Sequence, residues 1–132
     1  MRLNRLLIAT AAMEVSAGAA LMSAPATVVR LLLGAAVDAP VLVVARVAGA
    51  ALFTIGTLCC WVATKERRGL SARGLLRALL FYNVAALMAL AHASLALQLT
   101  GIGLWPVVTL HAALAAWCVA CLYQLHRNRA LQ

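Results

Sequence analysis

The chain has 132 residues, of which 66% are hydrophobic and 11% charged, and its formal net charge is +8 at pH 7. A water-soluble fold of this size would have too little polar surface to cover its core. The basic residues lie at the ends of apolar segments, without a polar or aromatic surface beside them, so a nucleic-acid-binding domain is also excluded. These properties indicate a protein whose main partner is the lipid bilayer.

Four apolar segments each have about the ~20 residues that a helix needs to cross ~30 Å of hydrocarbon. They run from Leu6 to Ser23, from Val41 to Thr64, from Leu75 to Leu99 and from Leu104 to Tyr123. The predicted fold class is therefore all-α. We expect an integral membrane four-helix transmembrane bundle that forms a single domain over residues 1–132.

The first apolar segment is followed by an external stretch. Its helix is expected to end near Pro25, because proline lacks the backbone N–H and restricts the residue before it. From Thr27 to Ala39, apolar residues surround Arg30 and precede Gly34, which predicts either a short interfacial helix or a plain surface loop. The N-terminal segment also resembles a secretory signal, but Glu14 interrupts its apolar stretch, so we expect it to remain uncleaved.

Positive charge falls almost entirely on one side of the predicted spans. Arg2 and Arg5 precede the first segment, and Arg127 and Arg129 follow the fourth. The second connection is also basic, whereas the first and third contain only Arg30. By the positive-inside rule, both termini and the 65–77 loop are predicted to be cytoplasmic. The predicted location is the cell inner (cytoplasmic) membrane, with anionic lipid attracted to the basic face.

Small residues predict where the helices approach most closely, because helix association in lipid depends on backbone proximity. The short 65–74 loop also predicts that the second and third spans are antiparallel neighbours. Aromatic rings are expected near the membrane interfaces. The small-residue stripes are Ala11, Glu14 and Gly18 in the first span and Ala45, Gly49, Gly56 and Cys60 in the second, and the interfacial aromatics are Trp61, Tyr82, Trp105 and Tyr123.

Two charged residues lie at membrane depth. Burying a charge there costs about 2.5 to 3.5 kcal/mol, so such residues are paired or functional. Glu14 is near the middle of the first span and Arg46 is about two turns inside the second. The sequence predicts an ion pair between them, which either pins two helices together or takes part in proton coupling or anion binding. The alternative is that Arg46 extends outward to the headgroups.

Two histidines lie at nearly matching depths. His92 is about two turns before the end of the third span, and His111 is about two turns after the start of the fourth. Matched depth is compatible with haem, with a proton relay or with a quinone headgroup. However, Asn83 and His92 fall on opposite faces of the third span. Ordinary hydrogen bonds to neighbouring helices are the simplest interpretation of both histidines and of Asn83.

The four cysteines are predicted to be packing residues. Cys118 and Cys121 form a C-x-x-C near the end of the fourth span, and Cys59 and Cys60 close the second span. All four are expected in the cytoplasmic half, which is the reducing side, so disulfide chemistry is disfavoured. No metal-binding motif, phosphate loop, nucleotide fingerprint or hydrolytic triad is present in the sequence. No catalytic residue or metal ligand is therefore assigned.

Two family resemblances rest on short motifs. The segment Ala45–Gly56, preceded by a first helix that ends in Gly18–Pro25, resembles the opening half of small DoxX-like four-helix membrane proteins. This resemblance implies a four-helix bundle that serves as a membrane subunit, sometimes linked to a redox partner and the quinone pool. Glu14 in the first span resembles the membrane carboxylate of small multidrug exporters, but the chain has an arginine in its second span and lacks aromatic-lined substrate helices.

Three function classes remain open from the sequence. The first, which the absence of a catalytic motif and the small-residue packing faces favour, is a non-catalytic membrane subunit or assembly factor of a larger, redox- or quinone-linked complex, in contact with other membrane subunits or with a second copy of the chain. The second is a small proton-coupled transporter that works as a dimer and uses Glu14. The third is a redox subunit that binds haem or quinone through His92, His111 or the cysteines.

Overall fold

The computed structural model describes residues 2–64 and 72–130, with side chains over 3–64 and 73–127. These residues form five helices: α1 (Arg2–Ser23), α2 (Pro25–Leu33), α3 (Ala39–Thr64), α4 (Ala72–Leu95) and α5 (Leu104–Ala130). All except α2 are long and apolar enough to cross a membrane. The prediction of an all-α chain with four potential spans is confirmed. Most of the predicted cytoplasmic loop lies outside the described residues.

The third span ends four residues earlier than predicted, at Leu95 instead of Leu99. The backbone of Gln98 takes a left-handed conformation with φ of 54°, and its side-chain amide donates to the Leu95 carbonyl at 2.8 Å. These features close the helix with a turn that an apolar pattern alone does not reveal. The fourth span continues past Tyr123 to Ala130, because the residues there are mostly good helix formers.

The stretch after α1 is a short helix rather than a plain loop. Pro25 occupies the start of α2, where its missing N–H removes no helix bond. Gly34 ends α2 in a left-handed conformation with φ of 68°, and its N–H donates to the Arg30 carbonyl at 2.8 Å. Asp38 then caps α3, since its Oδ1 accepts from the Val41 N–H at 3.1 Å.

Glycines set the contact between α1 and α3. A Cβ built on Gly18 would lie 2.6 Å from the Gly49 carbonyl oxygen, and one on Gly56 would lie 2.7 Å from the Val15 nitrogen. Only residues without a side chain allow two helices this close. The predicted stripes are therefore present for Gly18, Gly49 and Gly56, while the Cys60 position is exposed and Cys59 is buried in its place.

The second close helix pair in the described backbone is α4 with α5. The described parts of α3 and α4 do not form such a close backbone pair, because the glycines of α3 direct it against α1, and their antiparallel arrangement stays a prediction. All four long helices contribute to one buried apolar cluster near the end of the molecule where α1 begins. Its members are Leu6, Leu7, Ala11, Cys59, Leu75, Leu76, Leu79, Leu114, Cys118 and Cys121.

The opposite end of the molecule, here called the α2 end, is organised by α2. The Gly103 N–H donates to the Leu31 carbonyl at 2.9 Å. Gly101 packs so closely on Leu32 that a Cβ would overlap the Leu32 carbonyl group. The connection between α4 and α5 is thereby tied to α2, which joins the two helix pairs at this end.

Candidate functional site

A buried polar cluster joins three of the long helices, near the middle of α1 and α4 and about two turns after the start of α5. It consists of Glu14 on α1, Tyr82 and Asn83 on α4, and His111 on α5. Apart from Thr10, whose side chain is also buried, Glu14, Asn83 and His111 are the buried polar or charged side chains of the described region. Polar groups are costly in an apolar interior unless they bond to one another. These four residues are the candidate site.

Glu14 is 4% exposed and lies close to the centre of the span Leu3–Ser23. Its Oε2 accepts a hydrogen bond of 3.0 Å from the Tyr82 hydroxyl. Thr10, one helical turn earlier and 1% exposed, lies on the same face of α1. The face of α1 that carries Glu14 is therefore directed into the protein, and its carboxyl group is held by a neutral hydroxyl.

The polar groups of Tyr82 and Asn83 form hydrogen bonds with two different helices, because adjacent helical residues point about 100° apart. Tyr82 reaches Glu14 on α1, whereas the Oδ1 of Asn83 lies 2.9 Å from the Nδ1 of His111 on α5. Asn83 is fully buried, at 0% exposed. Consecutive residues of α4 thus connect α1 and α5 at one depth.

The orientation of Asn83 assigns the proton on His111. The Nδ2 of Asn83 donates to the Leu79 carbonyl at 2.7 Å, so its Oδ1 is the atom that faces His111. An amide oxygen can only accept, which places a proton on the Nδ1 of His111. In a neutral imidazole the Nε2 is then a hydrogen-bond acceptor.

Tyr82 also contacts His111 directly. Their ring centroids are 5.6 Å apart and the planes are inclined by 83°, which is the edge-to-face arrangement that aromatic rings favour. Tyr82 thus has its hydroxyl against the Glu14 carboxyl and its ring against the imidazole. The cluster forms a continuous series of contacts from α1 through α4 to α5.

The predicted ion pair between Glu14 and Arg46 is wrong. Glu14 accepts from Tyr82, and Arg46 is exposed on the outside of α3. The physical reason is helix register. Val15 contacts Gly56, and Arg46 is ten residues from Gly56, which is about 15 Å along the helix axis at ~1.5 Å per residue. An arginine side chain does not span that distance.

His92 does not share a site with His111. It is exposed, whereas His111 is 8% exposed and faces α4. His92 follows Asn83 by nine residues, or two and a half turns, which puts the two side chains on opposite sides of α4. A bis-histidine haem site is therefore not formed by this pair. Within residues 3–64 and 73–127, no group of three or more His, Cys, Asp or Glu side chains could hold a metal ion.

The cysteines contribute to packing. Cys59, Cys118 and Cys121 are buried within the apolar cluster, while Cys60 is exposed. All four are thiols. The Cys59 and Cys118 side chains are 0% and 1% exposed, as expected of small apolar groups in a core.

Tyr82 is the functional candidate that the sequence pattern did not predict. Its ring was expected at a membrane interface, like those of Trp61, Trp105 and Tyr123, which are all at least half exposed. Tyr82 instead lies near the centre of the span Arg73–Leu95. The available signal was its position beside Asn83 in mid-span, since two adjacent polar groups there both need partners.

Comparison of the chain with protein-family models, with curated proteins and with solved structures finds no match.

Proposed function

We propose that the chain is a multi-pass protein of the cell inner membrane, folded as a four-helix bundle with both termini in the cytoplasm. The distribution of charge supports this orientation. Arg5, Arg73 and Arg127 belong to the end of the molecule away from α2, whereas the α2 end has Arg30 and the acidic Asp38. An excess of arginine and lysine marks the cytoplasmic side.

Within this topology, the chain acts as a small proton-coupled membrane transporter in which Glu14 binds and releases the proton. A single observation carries this proposal. Glu14 lies almost completely buried at mid-span, and its hydrogen-bond partner is the neutral Tyr82 hydroxyl instead of an arginine. An ionisable group at this depth is costly, and a permanent cationic partner would have held it ionised. With a hydroxyl partner the carboxyl group can exist with or without its proton.

The Tyr82 hydroxyl can form a hydrogen bond with Glu14 whether or not the carboxyl group carries its proton. A tyrosine hydroxyl donates one hydrogen bond and also accepts. It donates to the carboxylate, as in the observed geometry, and it accepts from the carboxylic acid after a rotation of its hydroxyl hydrogen. Protonation therefore needs no large rearrangement of α1 and α4.

Infrared spectroscopy of the protein in lipid nanodiscs tests this function. Wild type should show a carbonyl stretching band of a protonated carboxyl that changes with pH, and the band should be missing from Glu14→Gln. Asp38→Asn is the matched control, because Asp38 is an exposed residue at the start of α3. A band that is the same at every pH, or one that persists in Glu14→Gln, would exclude Glu14 as the proton-binding group.

A second candidate function is a non-catalytic membrane subunit or assembly factor, as the DoxX-like resemblance implies. The favouring observation is Arg46, which is exposed within a membrane span on the same helix as the exposed Val43 and Val47. An acidic group on another subunit, or on a second copy of the chain, would neutralise this guanidinium. Lipid phosphate is the competing partner.

Purification in mild detergent separates these possibilities. The subunit function predicts that a second polypeptide or a second copy of the chain co-purifies with wild type and is lost from Arg46→Gln. Thr57→Val, which changes an exposed polar residue elsewhere on α3, should retain the partner. A strictly monomeric wild-type protein whose arginine variant behaves identically would remove this candidate.

A further inference from the structure

One nitrogen of the polar cluster has no hydrogen bond within the described residues. Asn83 holds the proton of His111 on Nδ1, so the unprotonated Nε2 is the basic atom of the ring. The residue as a whole is 8% exposed, and the hydrogen bond that its ring forms within the described residues is the one at Nδ1. A basic nitrogen that no hydrogen bond within the described residues uses is suited to receive a proton.

Tyr82 separates this nitrogen's ring from the only carboxyl group of the cluster. Its hydroxyl is 3.0 Å from Glu14 Oε2, and its ring centroid is 5.6 Å from that of His111. Opposite charges on the two sides of one ring attract each other more strongly in a low-dielectric interior than in water. Tyr82 is thus in contact with both titratable groups.

We propose that Glu14 and His111 share one proton as a single coupled site. In one state the carboxyl carries the proton and both groups are neutral. In the other state the O–H bond of Glu14 has broken, an N–H bond has formed at Nε2 of His111, and a carboxylate and an imidazolium flank Tyr82. No other reactant is needed, and the net charge of the pair is zero in both states.

Electroneutrality is the physical advantage of this pair. A single ionised group in hydrocarbon is costly, whereas two opposite charges compensate each other. Besides Tyr82, the Cys59 thiol of α3 is a titratable group close enough to Glu14 to interact with it electrostatically. No arginine in the described part of the chain forms an ion pair with Glu14, so His111 is the available source of positive charge at this depth. The proposal rests on the proposed role of Glu14 in proton binding and adds its internal partner.

Two reciprocal variants test the shared proton in nanodiscs. His111→Gln removes the second acceptor, so Glu14 should remain protonated in a larger fraction of molecules, seen as a stronger carboxylic-acid infrared band at the same pH. Glu14→Gln removes the carboxylate, so the imidazolium signal of His111 in ¹⁵N NMR should decrease. Because coupling is reciprocal, both equilibria should change by the same factor, roughly 5-fold or more.

His92→Gln is the control for both measurements, because His92 is exposed on the opposite side of α4 and should affect neither signal. If His111→Gln fails to fold, the NMR measurement on Glu14→Gln decides alone. A pH-dependent Glu14 band that is unchanged by His111→Gln, or an unchanged His111 signal in Glu14→Gln, would overturn the shared proton while leaving the proposed function intact. A wild-type Glu14 band that never changes would overturn both.

Discussion

The Tyr82 hydroxyl is the group that allows Glu14 to lie at the centre of α1. Without this donor, Oε2 would have no hydrogen-bond partner within the described residues. Tyr82→Phe keeps the edge-to-face contact with His111 and deletes only the hydrogen bond. We expect a loss of about 1 to 3 kcal/mol, the cost of leaving a buried polar group without its partner.

Thermal unfolding in one detergent measures this loss. Tyr123→Phe is the matched control, since Tyr123 is 66% exposed and its hydroxyl should contribute little. Adding Glu14→Gln to Tyr82→Phe should cost less than the sum of the two single changes, because the residues are bonded partners. Equal stability of Tyr82→Phe and wild type would show that the hydroxyl does not support Glu14.

For Arg46 and Glu14 we expect additive effects on stability, unlike the coupled effects expected for Tyr82 and Glu14. Because it lies about 15 Å from Glu14 along the helix axis at ~1.5 Å per residue, the effects of Glu14→Gln and Arg46→Met should add. Independent sites usually agree with additivity within about 0.5 kcal/mol. Thermal stabilities of the two single variants and the double variant provide the test, and a double variant more stable than the sum by over ~1 kcal/mol would restore the ion pair.

At the scale of elements, three glycines determine how α1 and α3 lie against each other. A Cβ at position 49 would be 2.8 Å from the Leu21 Cβ and 2.9 Å from the Gly18 carbonyl oxygen. Backbone atoms cannot move aside as the end of a flexible side chain can. Gly49→Ala should therefore force the helices apart, at a cost of about 1 to 3 kcal/mol, as is typical of overpacking.

Ala51→Val is the control for this prediction, because Ala51 is exposed on the same helix and its side chain has room to grow. Thermal unfolding of both variants measures the difference. A separation of α1 and α3 would also move Glu14 relative to Tyr82, so the infrared band of the carboxyl should change in Gly49→Ala. A glycine variant as stable as the control would contradict the close approach of the two helices.

At the scale of the whole molecule, orientation is the property to test first. A reporter fused after Gln132 and another inserted near Gly69, both positions outside the described residues, should report the cytoplasm. A reporter at Ala36, an exposed residue between α2 and α3, should report the other side. Gly101 is a poor insertion site because it packs tightly on Leu32. A cytoplasmic signal from Ala36 would reverse the proposed topology.

Composition and local pattern determined the features that depend on one segment at a time. The four spans follow from the length of the apolar runs, and the end of α1 follows from Pro25. Glu14, Asn83 and His111 could be selected as buried polar residues because each interrupts an apolar run. Such properties need no knowledge of which helix packs against which.

Only the tertiary structure decided which of these residues meet. The depth of a residue in its span does not define how the helix is rotated about its axis. It also does not define which residues of the neighbouring helices lie beside that residue. The glycine contacts of α1 with α3 set the register that separates Glu14 from Arg46. The rotation of α4 turns Tyr82 toward Glu14, Asn83 toward His111, and His92 away from both. Pairing of polar groups in lipid is thus a consequence of helix packing, since packing alone places two side chains within hydrogen-bond distance.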